Sequence, residues 1–150
     1  MAERQDIAGV SCVELEQIGD ERGTVLHMLR SDSPDFNQFG ECYFSEIFPT
    51  VVKAWKCHVL QTQLLAVPVG RVRFVLFDER ENSPDMGKIH VIELGRPDNY
   101  CRLKIPPGFW YGFKCISEES ALLVNCADIP FEPEESLSRN IDDDSIPYQW

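Results

Sequence analysis

Lys56 and His58 stand two residues apart in the segment Thr50 to Gly70, TVVKAWKCHVLQTQLLAVPVG, and a strand would turn both to the same side. A lysine can serve as a base when burial lowers its pKa, as a cation for a developing oxyanion, or as a Schiff-base nucleophile toward a ketone. His58 is a candidate base, and on equal terms a hydrogen-bonded core histidine. Cys57 lies between them with basic neighbours that would lower a thiol pKa, but strand alternation turns it away, so it reads as a structural thiol. A second cluster, Pro106 to Phe113 (PPGFWYGF), presents Trp110 and Tyr111 either to a pocket, where they would stack on a base or sugar, or to the core, the reading favoured for Trp110.

The spacing in these two segments resembles that of the cupins. The first cupin motif, G-x5-H-x-H-x4-E-x6-G, falls on Thr50, Lys56, His58, Gln63 and Gly70, and the second, P-x-G-x2-H, ends on Tyr111. The resemblance implies a barrel with an internal pocket. The substitutions imply a pocket without a metal, because His58 alone remains of the histidine ligands and neutral Gln63 is a poor substitute for a carboxylate.

The elements that must carry these residues read as strand after strand. Val67 to Phe77 alternates Val72, Phe74 and Leu76 with Arg71 and Arg73 after a turn at Gly70, and Gly23 to Arg30, Cys42 to Phe48, Ile89 to Leu94, Arg102 to Ile105 and Ala121 to Asn125 are further β runs. Turn chemistry at Asn82 to Asp85, Gly95 to Asn99 and Pro106 to Gly108 separates them. The expectation is an all-β, cupin-type jelly-roll barrel occupying residues 1–150 as one domain, with a short helical turn in the tail before an extended end.

A chain of 150 residues with formal net charge −11 is a poor general binder of nucleic acid or anionic membrane, though a local cationic pocket remains compatible with it. Much of the acidity lies at Glu132 to Glu135 and Asp142 to Asp144, runs that read first as solvated faces. There is no apolar run of signal or membrane-spanning length, and the six cysteines form no C-x-x-C pair. The expected compartment is therefore the cytoplasm, with the thiols free and buried.

Asp20-Glu21-Arg22-Gly23, Lys53-Ala54-Trp55-Lys56, Ser83-Pro84 with Gly87-Lys88, Ile105 to Phe109 with Gly112-Phe113, and Trp150 follow one another as in the dTDP-4-dehydrorhamnose 3,5-epimerase family, which the chain resembles over residues 18–150. The resemblance implies a homodimer, with N-terminal strands crossing between subunits, that binds a nucleotide-linked 4-keto sugar. It also implies epimerisation next to the ketone without metal or other cofactor. It places Lys56 at the family's base histidine, Asp143 at that histidine's aspartate partner, Tyr111 at a second histidine and His27 at a glutamate. Arg22 and Lys53 match positions that contact the diphosphate or sugar. Ile129, Pro130 and Phe131 stand where the family carries its general-acid tyrosine. The rearranged acid–base set is then Lys56, His58, Tyr111 and Asp143, with Arg22, His27, Lys53, Gln63 and Trp110 around the substrate. Two other readings stay open: a non-catalytic nucleotide-sugar binder, and a barrel recruited to isomerise another secondary metabolite.

Overall fold

A computed structural model describes residues 9–150; the first eight residues of the expected domain lie outside it. The described residues form twelve strands: β1 Ser11–Glu14, β2 Gln17–Asp20, β3 Gly23–Leu26, β4 Glu41–Ile47, β5 Val52–His58, β6 Gln63–Val69, β7 Arg71–Asp78, β8 Ile89–Gly95, β9 Cys101–Ile105, β10 Phe109–Cys115, β11 Ala121–Ala127 and β12 Ser136–Ser138. A 3-10 turn, Pro133–Glu135, precedes β12. One sheet runs β1-β9-β6-β11-β4, the facing sheet runs β12-β5-β10-β7-β8, and β2 and β3 form a separate hairpin. The architecture is the expected cupin-type jelly roll.

Alternation along β7 shows how the layers form. Val72, Phe74 and Leu76 enter the core between the sheets, where they meet Leu65, Leu103 and Leu123 of the first sheet. Val75 and Phe77 point outward into a second apolar layer with Trp55, Cys57, Trp110 and Ile146. Arg71 and Arg73, also on the outer side, bind Asp98 and Glu93. The tail closes over this outer layer: Trp150 packs 5.2 Å from the Trp55 ring and Tyr148 meets both edge-on. A strand with an apolar layer on each face has no polar side to show, and hence no clean alternation.

The same reason explains why Phe109 to Cys115 looks like a loop in the sequence. Its run FWYGF is apolar throughout because β10 is a central strand, hydrogen-bonded to β5 on one side and β7 on the other. Its pairing with β5 shifts between Tyr111 and Phe113, so Gly112 faces the extra residues Ala54 and Trp55. A Cβ at Gly112 would come within 2.5 Å of the Ala54 Cβ and 2.9 Å of the Trp150 ring, so only glycine admits this approach. At the β6–β7 turn Gly70 adopts φ 76° with its α-carbon against the Ala121 backbone.

The strand runs that were expected are present with small changes of boundary, except that Gly23 to Arg30 contributes only the four residues of β3. The run Val67 to Phe77 is two strands hinged at Gly70. The six cysteines are not uniformly buried: Cys42 is exposed and Cys126 half-buried, because β4 lies at the edge of its sheet among the described residues. Among the described residues no helix is long and apolar enough to cross a membrane.

Candidate functional site

A cavity of about 290 Å³ opens between the two sheets. β4, β6 and β11 supply Tyr43, Ser45, Gln63, Leu65, Leu123 and Asn125 from the first sheet; β5 and β10 supply Lys53 to Lys56, Tyr111 and Phe113 from the second; Ser138 and Arg139 close the wall. Lys53, Lys56 and Arg139 therefore border the cavity, although the Arg139 guanidinium donates to the Glu79 carboxylate at 2.6 and 3.2 Å and lies over the Trp110 ring.

His58 ends β5, where β12 pairs Ser136 opposite it and so brings Glu135 alongside. Its Nδ1 lies 2.7 Å from Glu135 Oε1, and its Nε2 lies 3.2 Å from the Tyr111 hydroxyl. The second oxygen of Glu135 accepts the Leu60 and Gln61 amides at 2.9 and 2.8 Å. Burial pushes the Glu135 carboxyl up, but the hydrogen bonds from His58, Gln61 and Leu60 outweigh it and hold the group below its ordinary range. The carboxylate accepts the Nδ1 proton, which fixes the imidazole as the tautomer with a bare Nε2. Nε2 then accepts the Tyr111 O–H. Burial, reinforced by the negative fields of Tyr43 and Glu135, pushes the Tyr111 phenol well above its ordinary value, so its resting form is neutral. Tyr111 thus turns its proton inward and its oxygen lone pairs toward the cavity.

Across the cavity a second polar chain runs through the first sheet. Gln61 Nε2 donates to the Ile129 carbonyl at 2.8 Å, Gln63 Nε2 donates to Gln61 Oε1, and Asn125 Nδ2 donates both to Gln63 Oε1 and, at 2.9 Å, to the Tyr43 hydroxyl oxygen. Gln61, Gln63 and Asn125 are all buried, and Asn125 Oδ1 has no partner among the described residues.

The expected site residues divide accordingly. Lys56, Tyr111, Lys53 and Gln63 meet at the cavity, and His58 stands directly behind Tyr111. Lys56 is exposed and forms no ion pair among the described residues, and Asp143 is not beside it. The Asp143 carboxylate instead accepts the Ser145 amide at 2.9 Å within the tail. Lysine and aspartate do not form a dyad; the close pair is His58 with Glu135. Glu135 is a buried ligand of the histidine and no part of a solvated face. Trp110 points away from the cavity into the outer layer, with the Arg139 guanidinium 4.0 Å above its ring, because its neighbour Tyr111 takes the inward direction. His27 lines a different cavity with Leu15, Glu16 and Arg102. Arg22, on the β2–β3 turn, is bound to Asp20 and lies outside the central cavity.

The residues at the cupin ligand positions do not suit a metal. Both nitrogens of His58 are engaged, Gln63 is held by two amides, and Lys56 brings a cation. Among the described residues no group of three His, Cys, Asp or Glu side chains could hold a metal ion.

Sequence reasoning missed Glu135, Tyr43, Asn125 and Arg139. Asn125 carried a signal, a polar residue inside the apolar strand ALLVNCA, and its cross-strand neighbour is Tyr43. Nothing in the spacing ties Glu135 to His58, 77 residues away.

The cavity between the sheets thus brings the pair His58–Tyr111, held by Glu135, together with Lys53 and Lys56 in a cupin-type jelly roll. Comparison with known proteins makes this specific. The model of the dTDP-4-dehydrorhamnose 3,5-epimerase family matches residues 4–150, and the chain belongs to that family. It is similar to the crystal structure of a dTDP sugar isomerase from Desulfovibrio desulfuricans G20, with 53% identity, a TM-score of 0.94, and coverage of 96% of this chain and 92% of that one. It is also similar to the spore coat polysaccharide biosynthesis protein SpsL of Bacillus subtilis, 30% identical over 146 residues and 96% of each chain. The probable low-salt glycan biosynthesis epimerase Agl13 of Haloferax volcanii is 34% identical over 145 residues, 95% of this chain and 89% of Agl13.

Proposed function

We propose that the protein is an epimerase or isomerase of a nucleotide-linked 4-keto sugar that works by enolisation, without metal. The observation that carries this reading is the chain Glu135–His58–Tyr111, which opens on a cavity bordered by Lys53, Lys56 and Arg139. Tyr111 takes the proton alpha to the ketone as it passes its own to His58 Nε2, and Glu135 stabilises the imidazolium that forms. Lys56 meets the enolate oxygen, and Lys53 attracts the phosphates. The names of the relatives, a dTDP sugar isomerase and a glycan biosynthesis epimerase, support a substrate of this class. The test is proton NMR in deuterated buffer across thymidine, uridine, cytidine and guanosine diphosphate 4-keto and 3-keto sugars. The alpha proton of at least one should exchange with solvent. Binding without exchange across the whole panel would leave a nucleotide-sugar binder in place of the enzyme.

The working unit in this proposal is a homodimer in which the N-terminal strands cross between subunits. Arg22 is 82% exposed at the tip of a hairpin that belongs to neither main sheet, and Ile18 and Val25 are exposed on the same hairpin. An arginine so placed can reach a phosphate in a neighbouring cavity, and the apolar pair gives the hairpin something to bury. Light scattering should give twice the chain mass of 17.2 kDa. A clean monomer at micromolar concentration would return Arg22 to an ordinary surface role.

A further inference from the structure

We propose that Tyr43 is the general acid of this site, donating the proton that completes inversion from the wall opposite Tyr111. The inference rests on the enolisation reading above and identifies the group that reading leaves open. Tyr43 projects from β4 in one sheet and Tyr111 from β10 in the other, and both line the same cavity. A planar enolate held between the sheets therefore has one phenol on each side.

The two hydroxyls are set in opposite senses. The Tyr111 proton is taken by His58 Nε2, so its oxygen faces the cavity as an acceptor. The sense at Tyr43 is fixed from a distance. The Ile129 carbonyl can only accept, so Gln61 must turn its amide nitrogen to it and its oxygen to Gln63. Gln63 must then offer its oxygen to Asn125, and Asn125 presents its nitrogen to Tyr43. The Tyr43 oxygen is thereby an acceptor from Asn125, and its own proton is left to point into the cavity. Gln61 joins the two devices, since its backbone amide also holds Glu135.

The proton balance closes. The electron pair of the substrate C–H bond becomes the enolate π bond as the proton passes to Tyr111 and the Tyr111 proton passes to His58. The pair then re-forms a C–H bond on the other face with the Tyr43 proton. Tyr43 regains a proton from water, for which its 42% exposure gives access, and His58 returns its extra proton through Tyr111 to solvent. The phenol pKa, raised by burial against the opposing Asn125 hydrogen bond, keeps Tyr43 protonated between turnovers.

The test separates the two half-reactions with whichever keto sugar the wild type exchanges. In deuterated buffer Tyr43→Phe should lower inversion about 100-fold or more while recovered substrate still gains deuterium with retained configuration, because the Tyr111 wall is intact. Asn125→Asp, which replaces the donor facing Tyr43 by an acceptor and draws the phenol proton away from the cavity, should give the same pattern with the phenol present. Inversion at the wild-type rate in Tyr43→Phe, or equal loss of exchange and inversion, would overturn the assignment. No exchange by the wild type with any sugar of the panel would instead remove the underlying enzyme reading.

Discussion

Glu135→Gln should lower turnover about a thousandfold while leaving the protein folded and its affinity for the nucleotide sugar nearly unchanged, within the range that general acid–base groups contribute. The physical reason is the tautomer of His58. One Glu135 oxygen is committed to the Leu60 and Gln61 amides, so a glutamine must keep its carbonyl oxygen there and turn its NH2 group to His58 Nδ1. Nδ1 then has to be the bare nitrogen and Nε2 the protonated one. Nε2 donates to Tyr111 instead of accepting from it, the Tyr111 proton swings toward the cavity, and the oxygen that should receive the substrate proton is no longer a base. His58→Asn should have a comparable effect on solvent exchange, since an amide oxygen can accept the Tyr111 hydrogen bond but cannot take its proton. Glu135→Ala differs in kind. It strips the acceptor from His58 and two backbone amides at a site where the carboxylate is 5% exposed, and should cost about 2 kcal/mol or more in urea unfolding. The pH dependence has a definite sign. The folded Glu135 carboxyl titrates below its ordinary value of 4.5, so its contribution to stability is present above that value and is lost as pH falls through the lowered one. A Glu135→Gln enzyme with wild-type exchange would show that His58 and Tyr111 are only a packed pair.

How far the sequence led depends on which physical rule each residue obeys. The barrel was legible because β7 and its neighbours alternate, with Val72, Phe74 and Leu76 on the core side and the arginines opposite. The common direction of Lys56 and His58 and the outward turn of Cys57 followed from the same period of two. β10 was hidden because a strand covered on both faces loses alternation, and the cover comes from Ile146, Tyr148 and Trp150 in a tail whose docking no local pattern reveals. Glu135 was hidden for a related reason. Its neighbours Glu132 and Glu134 are exposed, and only the pairing of β12 with β5 turns Glu135 inward beneath His58. The family resemblance led to Asp143 as the histidine's partner. The structure shows that the carboxylate holding an imidazole here comes from eight residues earlier, on the 3-10 turn, and holds His58 rather than the residue at Lys56.

That displacement decides what Lys56 is for. A lysine beside Asp143 would be a neutralised plug, but Lys56 has no carboxylate partner among the described residues and lies directly across the ladder from Tyr111. Its ammonium group is therefore available at the point where the proposed base removes a proton, and the charge that develops there is the enolate oxygen's. Lys56→Met keeps much of the stem and removes the charge, and should lower both deuterium exchange and inversion by about 10²- to 10³-fold, the loss typical of removing one oxyanion-stabilising donor. Binding should fall far less, because Lys53 remains at the cavity for the phosphates and the ground-state ketone carries little charge for Lys56 to meet. Lys56→Arg should recover part of the rate, since a guanidinium supplies the charge with a different reach. The opposite pattern, affinity lost and exchange per bound substrate unchanged, would place Lys56 on a phosphate and away from the enolate oxygen. Equal behaviour of Lys56→Met and wild type in both measurements would show that the residue at the family's base position has no part in either step, and the acid–base work would then rest on the two phenols and His58 alone.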